Sequence, residues 1–302
     1  SFFLYKIIKS EILINYIKYK PKLPKINKDR PRTIIKGIKV NGKTKLGDIF
    51  REGINYVIKA DTGTGKTTSG KIYLDRIHNH FCSIVSRTSL GQEQAEVFAE
   101  YGLTPKFYKL NKSTFVSYIN GDNPVIQIDS LGLMGRLEIK DYVIFLDEFN
   151  SIIEYLWTSD TLNTKRAQVF QAFKKVIQNA NQVICVDADI SEICFDFLDY
   201  CGIKYEFMEL KYKHNAGINA IEISDEDEFM MKLTVEDKFI CATDSLLEAK
   251  RIGLILKNMG VEGVQLITSE TELYKRLDFY DKIIFSPKII YGLDSVMRRS
   301  VW

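Results

Sequence analysis

Between residues 60 and 67 the chain reads Ala-Asp-Thr-Gly-Thr-Gly-Lys-Thr, followed by Thr68. An apolar run, INYVIKA at 54–60, precedes this segment, and helical periodicity over 66–79 follows it. Gly63 and Gly65 let the backbone approach a ligand closely without a Cβ clash. Amide groups of such a turn, with the N-terminus of the helix it opens, make a site for anions. The spacing fits the phosphate-loop pattern G-x-x-x-x-G-K-[ST], with Ala60 in the first position. Asp61, Thr62, Gly63, Thr64, Gly65, Lys66, Thr67 and Thr68 are therefore expected to bind ATP. Lys66 would reach the β- and γ-phosphates, and the Thr67 hydroxyl would meet Mg²⁺.

Strand-like runs recur at 82–86, 124–128, 142–148, 182–188 and 205–210, with helical patterns between several of them, such as 90–101, 165–179 and 191–201. Alternating strands and helices predict an α/β fold with a parallel sheet covered on both faces. A polar stretch at 211–217 marks a domain boundary. Beyond it the pattern restarts: NAIEIS, a helix from Asp225, a strand at 238–243, a helix over 245–259, a strand at 264–269, a short helix at 271–280 and a strand at 282–287. The division expected is a basic arm over 1–45, a first α/β domain over 46–211, and a partial second one over 212–302. Residues 1–45 carry eleven Lys and two Arg against Glu11 and Asp29, a net of +11, which leaves −8 for the rest of a chain whose total is +3. A basic arm of this kind binds phosphate backbones electrostatically. No apolar run is long enough for a membrane helix, and charges interrupt any secretory-signal core. The opening at Ser1 and the stop after RRSVW are expected of a piece of a longer protein. Five cysteines without C-x-x-C spacing argue against a zinc site and for buried thiols in a reducing, intracellular compartment.

Two acidic strand ends complete the chemistry. YVIFLDEFN places Asp147 and Glu148 after an apolar run. Asp147 is expected to hold Mg²⁺ opposite Thr67, and Glu148 to orient and deprotonate an attacking water. CVDADIS places Asp187 and Asp189 after the next run, where they would sense the γ-phosphate and couple its loss to the second domain; helix capping by Asp189 or Ser191 is the simpler alternative.

In this order the segments resemble the motifs of superfamily 2 helicases. ADTGTGKT is similar to motif I, IVSRTSLGQEQ (84–94) to Ia, IQIDSL (126–131) to Ib, LDEFNSII (146–153) to II, VDADIS to III, FICATDSLLEAKRIG (239–253) to IV and IIFSPKIIYGLDS (283–295) to V. The S-R-T-S-L-x-Q, Q-x-D-S-L and S-P-x-I-x-Y-G-x-D runs resemble most the herpesvirus-type replication-origin-binding helicases and their relatives in large DNA viruses, phages and plasmids. The resemblance spans residues 54–297. It implies two RecA-like P-loop domains, the second incomplete, and ATP-driven helicase or translocase activity in replication. It also implies single-stranded DNA and other replication proteins as partners. Arg87, Thr88 and Ser130 on the first domain, and Thr243, Thr268 and Ser286 on the second, would touch nucleic acid. Gly292 and Asp294 would face ATP in an interdomain cleft that closes and opens with turnover. No motif VI with its arginine finger is found, and Arg298 and Arg299 follow motif V too closely to replace it. The alternative is therefore a nucleotide-gated nucleic-acid-binding module with little unwinding. A small-molecule kinase shares the phosphate loop but gives no reason for the other motifs.

Overall fold

The computed structural model describes residues 25–35, 38–40, 43–45, 49–77, 80–108, 118–134, 137–212, 222–243, 245–268, 280–286 and 300–301. Two compact units are present, Ser1–Ala216 and Gly217–Trp302.

In the first unit the strands are β1 (Thr33–Ile35), β2 (Ile38–Val40), β3 (Lys43–Lys45), β4 (Tyr56–Lys59), β5 (His80–Val85), β6 (Pro105–Phe107), β7 (Asn123–Gln127), β8 (Tyr142–Asp147), β9 (Gln182–Asp187) and β10 (Glu206–Leu210). Eight of them form one parallel sheet in the order β1-β10-β4-β9-β8-β5-β7-β6, while β2 and β3 pair as a separate antiparallel hairpin. The central strands read as continuous apolar runs. Every residue of β8 and β9 is buried, as parallel strands covered on both faces require. Helices α1 (Lys66–Ile77), α2 (Thr88–Glu100), α3 (Phe149–Thr158), α4 (Arg166–Asn179) and α5 (Glu192–Tyr200) connect them. Phenylalanine builds much of the core: Phe81 packs on Phe98, and Phe173 stacks on Phe197 with centroids 4.9 Å apart.

Gly70 brings α1 down onto the sheet. A Cβ there would lie 2.3 Å from Phe145 Cε2 on β8, so a larger residue fits only if the ring or the helix is displaced. That close approach carries the start of α1 toward the end of β8.

The described part of the expected basic arm is built into this unit. Thr33–Ile35 pairs with β10. Arg30 forms an ion pair with Glu192, donates to Tyr205 Oη at 2.8 Å and lies over the Phe195 ring at 4.3 Å. Arg32 donates to Glu209 Oε2 at 3.0 Å. These arginines are spent on the fold rather than offered to phosphates, because burial beside an acidic helix start and strand gives each a carboxylate partner. Residues 1–24 lie outside the described residues.

The second unit has β11 (Phe239–Ala242), β12 (Val264–Ile267), β13 (Lys282–Phe285) and β14 (Ser300–Val301) in a parallel sheet ordered β12-β13-β11-β14. Its helices are α6 (Glu226–Val235) and α7 (Leu246–Asn258). Asp225 caps α6 by accepting from the Glu228 N–H at 2.7 Å, and Ser245 caps α7 by accepting from the Glu248 N–H at 3.1 Å. The acidic run at 224–229 is thus a helix start. Glu222–Ser224, expected to extend a strand, lie in none: Glu222 and Ser224 are exposed, so no buried face holds them in a sheet. All five cysteines are free and buried. No described helix is long and apolar enough to cross a membrane.

Candidate functional site

β4 ends against β9, where the Ala60 N–H donates to the Asp187 carbonyl at 3.0 Å. The turn that follows is held from within. The Thr62 N–H donates to Asp61 Oδ1 at 2.9 Å, and the buried Thr64 hydroxyl donates to the Asp61 carbonyl at 2.6 Å. Gly63 (φ 77°) and Gly65 (φ 81°) occupy the left-handed region that a side chain would strain. Gly65 then accepts the Ser69 N–H at 2.8 Å as α1 begins. Amides at the start of α1 have no intrahelical partner, and the helix dipole adds partial positive charge there. Lys66, in the first turn, is only 6% exposed.

The Thr67 hydroxyl donates to Asp147 Oδ2 at 2.7 Å, across 80 residues of sequence. Asp147 is 5% exposed and also accepts from Gln94 Nε2 at 3.2 Å. Burial raises the carboxyl pKa, against the Thr67 bond and the charges of Lys66 and Lys71. Glu148 is the one described non-glycine residue at positive φ (56°). Burial first, then the charges of Asp187 and Asp147, lift its pKa to about 8, opposed by Lys66. Glu148 thus combines a left-handed backbone with a carboxyl that titrates near neutrality.

Asp187 is 2% exposed. Its Oδ2 accepts from the Asn150 N–H at 2.8 Å and its Oδ1 from the Asp189 N–H at 2.9 Å. The Ser191 hydroxyl does not cap α5; it donates to Asn150 Oδ1 at 2.5 Å. Asp187 and Asn150 thereby join the end of β9 to the start of α3, next to Glu148. Asp189 is exposed.

Arg87 follows β5 and is exposed. The Thr88 hydroxyl donates to Gln127 Oε1 at 3.0 Å, and Tyr108 Oη donates to the same oxygen at 3.0 Å. Gln127 Nε2 in turn donates to the Ser86 carbonyl at 3.1 Å and Tyr155 Oη at 3.2 Å. Ser130, half-buried, donates to Asp129 Oδ1 at 3.3 Å. Arg87, Thr88 and Ser130 thus lie beyond the carboxyl ends of β5 and β7, on the sheet edge that carries the phosphate loop.

In the second unit Thr243, Thr268 and Ser286 each immediately follow a strand. The Thr243 hydroxyl donates to the carbonyls of Ser245 at 2.9 Å and Phe285 at 3.2 Å. Thr268 (2% exposed) and Ser286 (3%) are buried where they follow their strands, and the Ser286 N–H donates to the Ile267 carbonyl at 3.1 Å. Gly292, Asp294, Arg298 and Arg299 lie outside the described residues.

Sequence reasoning passed over Gln94, Lys71 and Asn150. For Gln94 a signal existed. Leu90, Gln94 and Phe98 share one helix face and all are buried, so an amide at a core position had to find a partner. Lys71 is 5% exposed; burial lowers its pKa, against Asp147, Glu93 and Glu100.

Thr67 and Asp147 present hydroxyl and carboxylate oxygens, the donor set that Mg²⁺ takes beside phosphates, so the residues fit that ion. Among the described residues no His, Cys, Asp or Glu cluster forms a self-sufficient metal site.

The family described as origin of replication binding protein matches residues 50–206. An uncharacterised helicase-like protein, R8, of Acanthamoeba polyphaga mimivirus is 27% identical over 279 residues, covering 82% of this chain and 26% of the relative. The replication origin-binding protein of human herpesvirus 6A is 24% identical over 258 residues, 78% of this chain and 32% of the relative. The chain therefore spans about a quarter to a third of these relatives. Among solved structures, Saccharomyces cerevisiae Dbp5 with Gle1 and IP6 superposes at a TM-score of 0.57, with 15% identity, over 80% of this chain and 66% of that one. The same yeast protein bound to RNA and ADP BeF3 gives 0.54 at 14% identity, over 78% and 66%. These likenesses show the RecA-like fold. With its matched segment running from the entry to the phosphate loop through β9 and α5, the chain belongs to the origin of replication binding protein family.

Proposed function

We propose that this chain is the ATP-hydrolysing motor portion of a replication helicase that acts on single-stranded DNA. The phosphate-loop domain expected over 46–211 lies within the first unit, Ser1–Ala216, and the second unit, Gly217–Trp302, is part of a second RecA-like domain. The observation that carries this reading is the 2.7 Å bond between Thr67 Oγ1 and Asp147 Oδ2, with the left-handed Glu148 beside it. The loop amides and Lys66 bind the triphosphate. Thr67 and Asp147 hold Mg²⁺, which when bound neutralises phosphate charge and polarises the γ-phosphoryl group. Glu148 orients a water and accepts its proton. Asp187 and Asn150 stand beside that water position and report the loss of the γ-phosphate. Arg87, Thr88 and Ser130 hold the strand through its phosphates. A relative in African swine fever virus, 25% identical over 80% of this chain and named as a helicase/primase complex protein, points to other replication proteins as partners.

Two variants test the assignment. Lys66→Ala is expected to weaken ATP binding and abolish turnover. Glu148→Gln is expected to keep ATP binding while lowering the rate at least about 100-fold, the usual contribution of a general base. Turnover by Lys66→Ala at the unmodified rate refutes the site. Strong stimulation of turnover by single-stranded DNA supports the motor; turnover indifferent to DNA refutes it and leaves a nucleotide-gated binding module.

A further inference from the structure

Gln94 lies in α2, outside the phosphate loop and the acidic strand end, yet it reaches the carboxylate on which the proposed site depends. Its Nε2 donates to Asp147 Oδ2 at 3.2 Å, and its Oε1 accepts from the Ser83 hydroxyl on β5 at 2.5 Å. Gln94 is 2% exposed, Ser83 is fully buried and Asp147 is 5% exposed, so water does not compete for these bonds. The orientation of the amide follows from its neighbours. An ionised carboxylate only accepts, so the NH₂ end must face Asp147, and the hydroxyl of Ser83 then donates to the oxygen end. Asp147 Oδ2 thereby has two side-chain donors, Thr67 and Gln94, fixed on different elements. The Thr67 hydroxyl is also the group wanted by the metal. Gln94 has no such second duty.

The helix that carries Gln94 is itself locked. Gly91 packs so tightly that a Cβ would lie 2.8 Å from Phe107 Cε2 and 3.1 Å from Val85. Thr88, six residues or about 9 Å along the helix from Gln94, is tied to Gln127. The amide is thus presented by a rigid element, not by an adaptable loop.

We infer that Gln94 is a positioning residue for Mg²⁺ binding, its side-chain amide holding the Asp147 carboxylate in the orientation that faces Thr67, with Ser83 setting the amide. This rests on the nucleotide reading above. Outer-shell donors to metal-binding carboxylates fix the ligand's orientation, and their loss weakens metal affinity roughly 10–100-fold. Gln94→Met keeps the length of the side chain and removes both ends of the amide.

The test is equilibrium binding of a fluorescent ATP analogue to the 302-residue chain, titrated with Mg²⁺ and repeated in EDTA. Gln94→Met is expected to raise the half-saturating Mg²⁺ concentration roughly tenfold and to leave affinity in EDTA unchanged. Ser83→Ala is expected to shift it in the same direction by less, and to add nothing on top of Gln94→Met. An unchanged Mg²⁺ requirement in Gln94→Met overturns the inference. So does equal weakening with and without metal, which signifies packing alone. Should circular dichroism show Gln94→Met unfolded, Ser83→Ala decides on the same titration. If the unmodified chain itself binds the analogue without regard to Mg²⁺, the nucleotide site is what fails, and that is visible before any variant is made.

Discussion

Glu148 combines three features that residues of its type avoid: a left-handed backbone, substantial burial and two neighbouring carboxylates. Burial and the charges of Asp187 and Asp147 disfavour the charged folded state and, against Lys66, hold the carboxyl at about 8. The consequence for stability has a definite sign. In the chain without nucleotide or metal, the folded state keeps a proton on Glu148 that the unfolded chain releases near its ordinary 4.5. This contribution is complete below about 4.5 and is lost as pH rises through about 8. Asp147, raised by burial, acts in the same direction. Thermal melting in EDTA is expected to show Tm falling from pH 5 to pH 9, with a shallower fall in Glu148→Gln. A Tm that rises over that range in the unmodified chain contradicts the assignment. The carboxylates themselves were legible as acidic residues after apolar runs. The backbone of Glu148 was not, because glutamate has no preference for that conformation and only its place between β8 and α3 imposes it.

Helix α1 and strand β8 meet through an absence of side chain. Gly70 sits in the helix interior, where glycine lowers helix stability by about 1 kcal/mol relative to alanine. On propensity alone Gly70→Ala would stabilise. Contact with Phe145 reverses that sign, since the added methyl would overlap the ring. Gly70→Ala is expected to cost about 1–3 kcal/mol in denaturant unfolding, the usual penalty of overpacking, and to weaken ATP-analogue binding as Thr67 moves away from Asp147. Phe145→Leu in the same background should recover part of both losses. Helix α1 was evident in the sequence from its loop and periodicity; the requirement at Gly70 was not, because it depends on which strand the helix covers. Helix α3 shows the opposite. It begins directly after Glu148, which makes no side-chain capping bond and is not a residue type that marks a helix start in a sequence.

In the first unit the segment before the phosphate loop closes one edge of an eight-stranded sheet. Arg30 and Arg32 bind Glu192 and Glu209, and they lie over Phe195 and Phe207, so each combines an ion pair with a cation–π contact. Arg30→Ala is expected to lower stability by about 1.5–3 kcal/mol, the range for hydrogen bonds to charged groups, and to speed amide exchange over 25–35. Its affinity for single-stranded DNA should match the unmodified chain. A marked loss of DNA affinity at unchanged stability would return this segment to the role of a basic arm. Net charge along the sequence pointed to such an arm, but charge counts do not distinguish a guanidinium in water from one already neutralised by a carboxylate.

Contiguous residues carried the phosphate loop, the acidic strand ends, the alternation of strand and helix, and hence the α/β class. Each rests on local causes: glycine's freedom at positive φ, the burial of unbroken apolar runs, the exclusion of charge from covered strands. Folding supplied what no local cause encodes. It set Thr67 against Asp147, brought Gln94 to the same carboxylate, buried Thr268 and Ser286, and turned Arg30 and Arg32 inward. These outcomes follow from the order of strands in the sheet, which many weak packing contacts between distant segments determine jointly and no single segment prefers.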